Sequence, residues 1–251
     1  MSFHISAFYQ AALAASSVDV VVPAVLDQAI NVQNSRIQPQ SNRSLMGAWA
    51  AGTTLTLAKM DSASLQLNGR PIITPINQAA PGGSLPGIEW YQDQGFTLPM
   101  TELIGVLAST NSSGAADTYA ALIHTTGITP IQGGPIRTVR ATASAAGAKG
   151  SWFLSPLTFD TYLSQGTYRV VGMVADGSNL ALARLVFQNP QIDRPGIPAV
   201  STVANYVADY FRRGNCGGWG DFQNYNPPQL ECLGLGTLTT QEVFLDLQKI
   251  A

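Results

Sequence analysis

From about residue 18 to residue 190, short apolar, β-branched runs alternate with turn residues at the spacing of a β-sandwich. Residues 18–25 form one such run, broken by Pro23. In Thr53-Thr54-Leu55-Thr56-Leu57-Ala58-Lys59, Thr and Leu alternate with the period of two that marks a half-buried strand. Ser64-Leu65-Gln66-Leu67 continues the pattern to Asn68-Gly69, a strong signal for a tight hairpin, and Pro71-Ile72-Ile73-Thr74 follows. Further strands are predicted over 102–109, 119–125 and 136–143, with Asn111-Ser112-Ser113-Gly114 as a plain turn and Trp152-Phe153-Leu154 as a short strand. The runs 167–174 and 180–187 flank Asp176-Gly177-Ser178-Asn179 and predict a β-hairpin. Its returning run is apolar on both sides, which places it in the body of the fold.

After residue 190 the period changes from 2 to 3.6. Val203, Tyr206, Val207, Tyr210 and Phe211 make one amphipathic face and predict a helix over 201–213, capped by Ser201 and stopped by Gly214. A second helix is predicted over 239–250, with Thr239 and Glu242 as a capping box and Val243, Phe244, Leu247 and Ile250 as its apolar face. Between them, 215–236 reads as a structured loop rich in Gly, Pro and aromatic residues. Residues 78–99 read as a long irregular connection, of a length that usually carries an interface or a function. Residues 1–17 hold a short apolar run without the basic flank of an export signal, and read as a short helix or arm.

Composition narrows the function classes. Charged residues are 11% of the chain, less than half the roughly 25% usual for soluble domains, and the net charge is −2. Thirteen Lys and Arg scattered over 251 residues are too few for a protein that binds nucleic acid through its phosphates. The hydrophobic share of 45% excludes a disordered chain, and no apolar run reaches the 18 residues a membrane-spanning helix needs. A chain so poor in charge is expected to give its surface to neighbouring subunits.

No constellation for catalysis assembles from the sequence. His4 and His124 are far from Cys216 and Cys232, so no zinc set forms, and His124 reads as a strand residue satisfied by its neighbours. Cys216 and Cys232 read as two reduced thiols packed in a loop, with a disulfide as the alternative. Gly82-Gly83-Ser84-Leu85-Pro86 is a poor match to a nucleophile elbow. Glu89 and Asp93, flanked by Trp90 and Tyr91, are the one carboxylate pair that a glycosidase could use, and more simply are solvated loop acids. Asp160 reads as a turn or cap residue, and Asp176 and Asn179 as hairpin-turn residues. A glycan-binding module would need Trp90, Tyr91, Trp219, Phe222 and Tyr225 on its surface.

The order of parts is a Gln/Asn-rich arm over 31–42, some eight short strands interrupted by a Pro/Gly loop, the segment 168–187 running into Arg194-Pro195-Gly196-Ile197-Pro198, and a helical tail. This texture resembles the jelly-roll capsid subunits of tailless, membrane-containing icosahedral viruses. The resemblance implies an N-terminal arm over 1–44, a jelly-roll β-sandwich over 45–190 and a helical C-terminal extension over 191–251. A single jelly roll suits this length; two compact ones divided near 111–114 are the alternative. It also implies a structural rather than enzymatic role, without cofactor or metal, in a virion shell assembled in the host cytoplasm. Its partners would be copies of itself, other capsid proteins and an internal membrane. Because residues 1–35 contain no Lys or Arg, such a shell would not condense its genome through this arm.

Overall fold

The computed structural model describes residues 2–62, 74–75, 78–79, 88–91, 97–131, 133–144, 147–177, 179–188, 192–198 and 211–251. Among these the chain is all β, built of predominantly antiparallel sheets with no helix. It divides into two compact units: an N-terminal unit, Ser6–Thr126, and a C-terminal unit that combines Met1–Ile5 with Gly127–Ala251. The span 45–190, expected as one sandwich, is therefore shared between two bodies.

The N-terminal unit is formed by β1 (Phe3–Leu13) from Ser6 onward, β2 (Val20–Val22), β3 (Asn31–Gln33), β4 (Arg36–Gln38), β5 (Arg43–Gly52) and β6 (Leu55–Ser62). It continues with β7 (Thr74–Pro75), β8 (Gln78–Ala79), β9 (Glu89–Trp90), β10 (Thr97–Leu98), β11 (Ile104–Thr110) and β12 (Ala116–Thr125). One sheet runs β1-β12-β5-β10, with β8 and β9 also on β5. The other runs β3-β4-β11-β6-β7, with β2 also on β11. Phe8, Leu45, Leu55, Met60, Leu98, Ile104 and Leu122 fill the space between them, with alanines such as Ala48, Ala50, Ala58 and Ala120 at close approaches. The expected arm contributes strands: residues 3–7 alternate apolar Phe3, Ile5 and Ala7 with His4 and Ser6, and both sets are buried. The Asn-rich segment forms the hairpin β3–β4, whose two loop residues Asn34 and Ser35 have φ of 50° and 64°. Two left-handed residues give the turn whose twist matches its strands.

The C-terminal unit contains β13 (Ile136–Ser144), β14 (Trp152–Pro156), β15 (Thr158–Phe159), β16 (Thr167–Asp176), β17 (Leu180–Val186), β18 (Gly196–Pro198), β19 (Gly220–Gln223), β20 (Gln229–Gly234) and β21 (Thr240–Lys249). Its sheets run β15-β13-β21-β16-β19 and β14-β20-β17-β18. Numbering β1, β2, β5, β6, β7, β10, β11 and β12 of the N-terminal unit from 1 to 8, and likewise β13, β14, β16, β17, β18, β19, β20 and β21 of the C-terminal unit, the paired neighbours run 1-8-3-6 in one sheet and 2-7-4-5 in the other; β3, β4, β8, β9 and β15 are additions to this order.

Three expectations are corrected here. Residues 239–250 form no helix but β21, an inner strand held by β13 on one side and β16 on the other. Val243, Leu245 and Leu247 face the core at a period of two. Phe244 and the Thr239/Glu242 spacing had imitated a helix, whereas Glu242 accepts from Arg140 across the sheet at 2.5 Å. Residues 215–236 contain β19 and β20 rather than a loop between helices. The runs 167–174 and 180–187 do not pair with each other: β16 lies between β19 and β21, and β17 between β18 and β20. Both edges of β16 are taken, so the Asp-Gly turn sends the chain to the opposite sheet, as the short turn from β5 to β6 does in the other unit. The predicted helix over 201–213 and the Asn68-Gly69 hairpin lie outside the described residues, apart from 211–213, which are not helical. Gly172, beside a bulge in β16, is required by space: a Cβ there would stand 2.7 Å from both Asp246 Oδ2 and the Phe211 carbonyl.

Candidate functional site

The polar groups that these sheets bring together fall into three buried sets. In the C-terminal unit, β17 carries Arg184 into a fully buried position. Its Nε donates to Glu231 Oε2 at 2.6 Å, its Nη1 to the Ile5 carbonyl at 3.2 Å, and its guanidinium lies 3.8 Å from the centre of the Trp152 ring. Arg194 Nη1 donates to the other oxygen of Glu231 at 2.5 Å. The Arg194 amide donates to His4 Nδ1 at 3.2 Å, and the Ile5 amide donates to the Arg194 carbonyl at 3.1 Å. One carboxylate thus neutralises two guanidiniums, and the first residues of the chain are tied to the same cluster. An anion engaged at both oxygens by fixed cations serves structure rather than proton transfer.

The second set centres on Asp246 of β21, which is fully buried. It accepts from Arg212 Nε at 2.6 Å, Arg212 Nη2 at 2.9 Å, Thr138 Oγ1 at 2.6 Å and the Arg213 amide at 3.0 Å. Burial works to raise its pKa, but the hydrogen bonds from Arg212, Thr138 and the Arg213 amide outweigh it and hold the carboxyl below its ordinary range. Asp246 thereby anchors Arg212 and Arg213 to β21.

The third set, in the N-terminal unit, has the composition of a nucleophile and base. Ser6 Oγ is 2.9 Å from His124 Nε2, and Arg43 Nη1 is 3.4 Å from His124 Nδ1. A guanidinium only donates, so Nδ1 accepts and the ring proton resides on Nε2, directed at Ser6. That is the reverse of a hydrolase triad, where a carboxylate holds the proton on Nδ1 and leaves Nε2 free to take one from serine. Both residues are fully buried within a sheet. His4 is likewise a buried strand residue rather than a terminal polar one.

The residues singled out by the sequence do not converge. Glu89 is half-buried in β9, while Asp93 and Ser84 lie outside the described residues. Burial, then the negative charge of Glu89, pushes the Tyr91 hydroxyl upward. Cys216 and Cys232 carry no disulfide; both are buried, which pushes each thiol up to about 12, with the charge of Glu231 adding to the effect at Cys232. Asp160 is exposed and ion-paired with Arg140, and Asn179, with φ of 62°, donates to the Thr237 carbonyl at 3.1 Å. The five aromatic residues form no common platform. Trp219 is fully buried between Phe3 and Phe211, with ring centres 5.0 and 6.3 Å away, and Phe222 stacks on Tyr168 and Phe159. Only Tyr225 of the set is exposed, at 79%. No group of three or more His, Cys, Asp or Glu able to hold a metal ion is present among the described residues.

Sequence reasoning missed the buried ions. The signal was available: Arg184 is the single charge in the apolar run Leu180–Val186, and Asp246 stands between Leu245 and Leu247. It also missed the apolar surface, where Val18, Leu26 and Met100 in one unit and Tyr162, Ile192 and Tyr225 in the other are more than half exposed. No protein-family model matches the chain, and no curated protein is significantly similar to it.

Proposed function

We propose that this chain is a capsid-type structural protein made of two jelly rolls, which assembles with copies of itself and sister proteins into an icosahedral virus shell. The observation that carries the reading is the strand order, 1-8-3-6 over 2-7-4-5, present twice. That order joins the first strand to the last and, except between the fourth and fifth, sends each strand to the sheet opposite the one before it, which is the arrangement expected of an eight-stranded jelly roll. Surface chemistry adds to it. Arg36, Lys59, Arg140, Arg169, Arg184, Arg194 and Arg212 are paired with carboxylates of their own unit, in a chain of which only 11% is charged. Large apolar side chains stand exposed on both units. Surfaces that become interface cores are depleted in charge in this manner. The absence of cations over residues 1–35 fits a shell that rests on a membrane or leaves genome packaging to other proteins. Light scattering and negative-stain microscopy of the full chain at micromolar concentration test the reading. Trimers, larger capsomers or shells are expected, and a stable monomer would overturn it.

A further inference from the structure

Two loops of the C-terminal unit are tied together at one end of its sandwich. The Asn224 amide donates to the Gly166 carbonyl at 3.1 Å, the Gly166 amide to Asn224 Oδ1 at 3.3 Å, and Asn224 Nδ2 to the Leu163 carbonyl at 3.5 Å. Beneath them Phe159, Phe222 and Tyr168 stack, and the Tyr168 hydroxyl donates to the Ser164 carbonyl at 2.9 Å. One residue to either side of the Asn224–Leu163 hydrogen bond, Tyr162 and Tyr225 point outward with 85% and 79% of their surface exposed. Fixed backbone beneath two exposed tyrosines is a preorganised contact surface: large, amphipathic and cheap to order because each ring has only two rotatable bonds.

Its electrostatics select the partner. Arg140 is paired with Asp160 and Glu242, Arg169 with Asp221, and Lys249 donates to Ser164 Oγ at 3.3 Å. Across these six charges the sum is zero and both signs are present. A surface of that kind repels no second example of itself, whereas it offers an anionic partner no surplus charge to recognise.

We infer that the Tyr162/Tyr225 surface is a self-association contact, the place where one copy of this chain meets another. The inference rests on the shell reading above and assigns it a surface. The experiment compares the full chain with Tyr162→Asp/Tyr225→Asp and with the milder Tyr162→Ser/Tyr225→Ser by sedimentation velocity over a micromolar series, with thermal melting as a folding control. Both tyrosines are exposed, so melting is expected to stay unchanged. Self-association is expected to weaken about tenfold per tyrosine, more for Asp than for Ser. If the parent assembles and both variants assemble equally well, this surface is not the contact and the shell reading stands. If the parent itself is monomeric, both fall. If the variants assemble normally but lose binding of a neutral oligosaccharide that the parent binds, the surface belongs to a glycan instead.

Discussion

The two units share one strand order and are filled differently. The N-terminal unit closes over leucines, methionine and a series of alanines, with His124 and Ser6 as a small buried polar pair and the buried Asp61 held by a partly exposed Arg36. The C-terminal unit places Arg184, Glu231 and Asp246 among its buried strand positions. The same connectivity therefore tolerates an apolar filling and an ionic one. Order among strands is fixed by which edges are free, whereas the side chains need only leave no void and no charge unpaired.

The comparison can be broken most sharply at Glu231. Glu231→Ala leaves Arg184 buried beside Trp152 without its carboxylate, and urea unfolding is expected to show a loss of about 4 kcal/mol. Replacing the pair together, Arg184→Met with Glu231→Met, should recover most of it, since Arg194 is partly exposed and can turn to water. Leu122→Ala in the N-terminal unit is the apolar counterpart, with an expected loss of about 3 kcal/mol and no pH dependence of its own.

Asp246→Asn sharpens the contrast through pH. Because the native carboxyl titrates below its ordinary range, its contribution is present above that range and is lost as pH falls through the native value. Unfolding free energies should differ by about 2 kcal/mol at pH 7, and the gap should close below pH 4. The smallest effect concerns the thiols. With both held at about 12, Cys216 and Cys232 should resist a thiol reagent at pH 8 in the native protein and react once it is unfolded in urea. Above pH 9 the unfolded chain ionises them first, so stability should fall as pH rises, and Cys216→Ala/Cys232→Ala should flatten that slope.

Much of the sandwich was legible, because Val20–Val22, Leu55–Ser62, Ile104–Thr110 and Ile136–Ser144 announce themselves by period and β-branching. The division into two units was harder to see, since nothing in the turn around residue 126 differs from any other turn. The corner at Asp176-Gly177 was misread because a sheet-crossing turn and a hairpin turn use the same residues; what separates them is whether the preceding strand has an edge to spare. Asp246 and Gln248, buried by partners distant in sequence, blurred the alternation in β21. Trp219 and Phe222 looked like surface aromatics because Gly, Pro and Asn surround them, yet Trp219 finds its partners at Phe3 and Phe211. The candidate polar clusters were not legible at all, since each joins strands that only the finished topology makes neighbours.

The docking of Phe3 against Phe211 and Trp219 has an order in time built into it. Phe3 precedes Ser6–Thr126 along the chain, whereas the rings that receive it follow that unit, and β21, which β13 and β16 both require, follows them. During synthesis Ser6–Thr126 is therefore complete while the receiving rings do not yet exist, and Phe3 has nowhere to dock until residue 219 has been made.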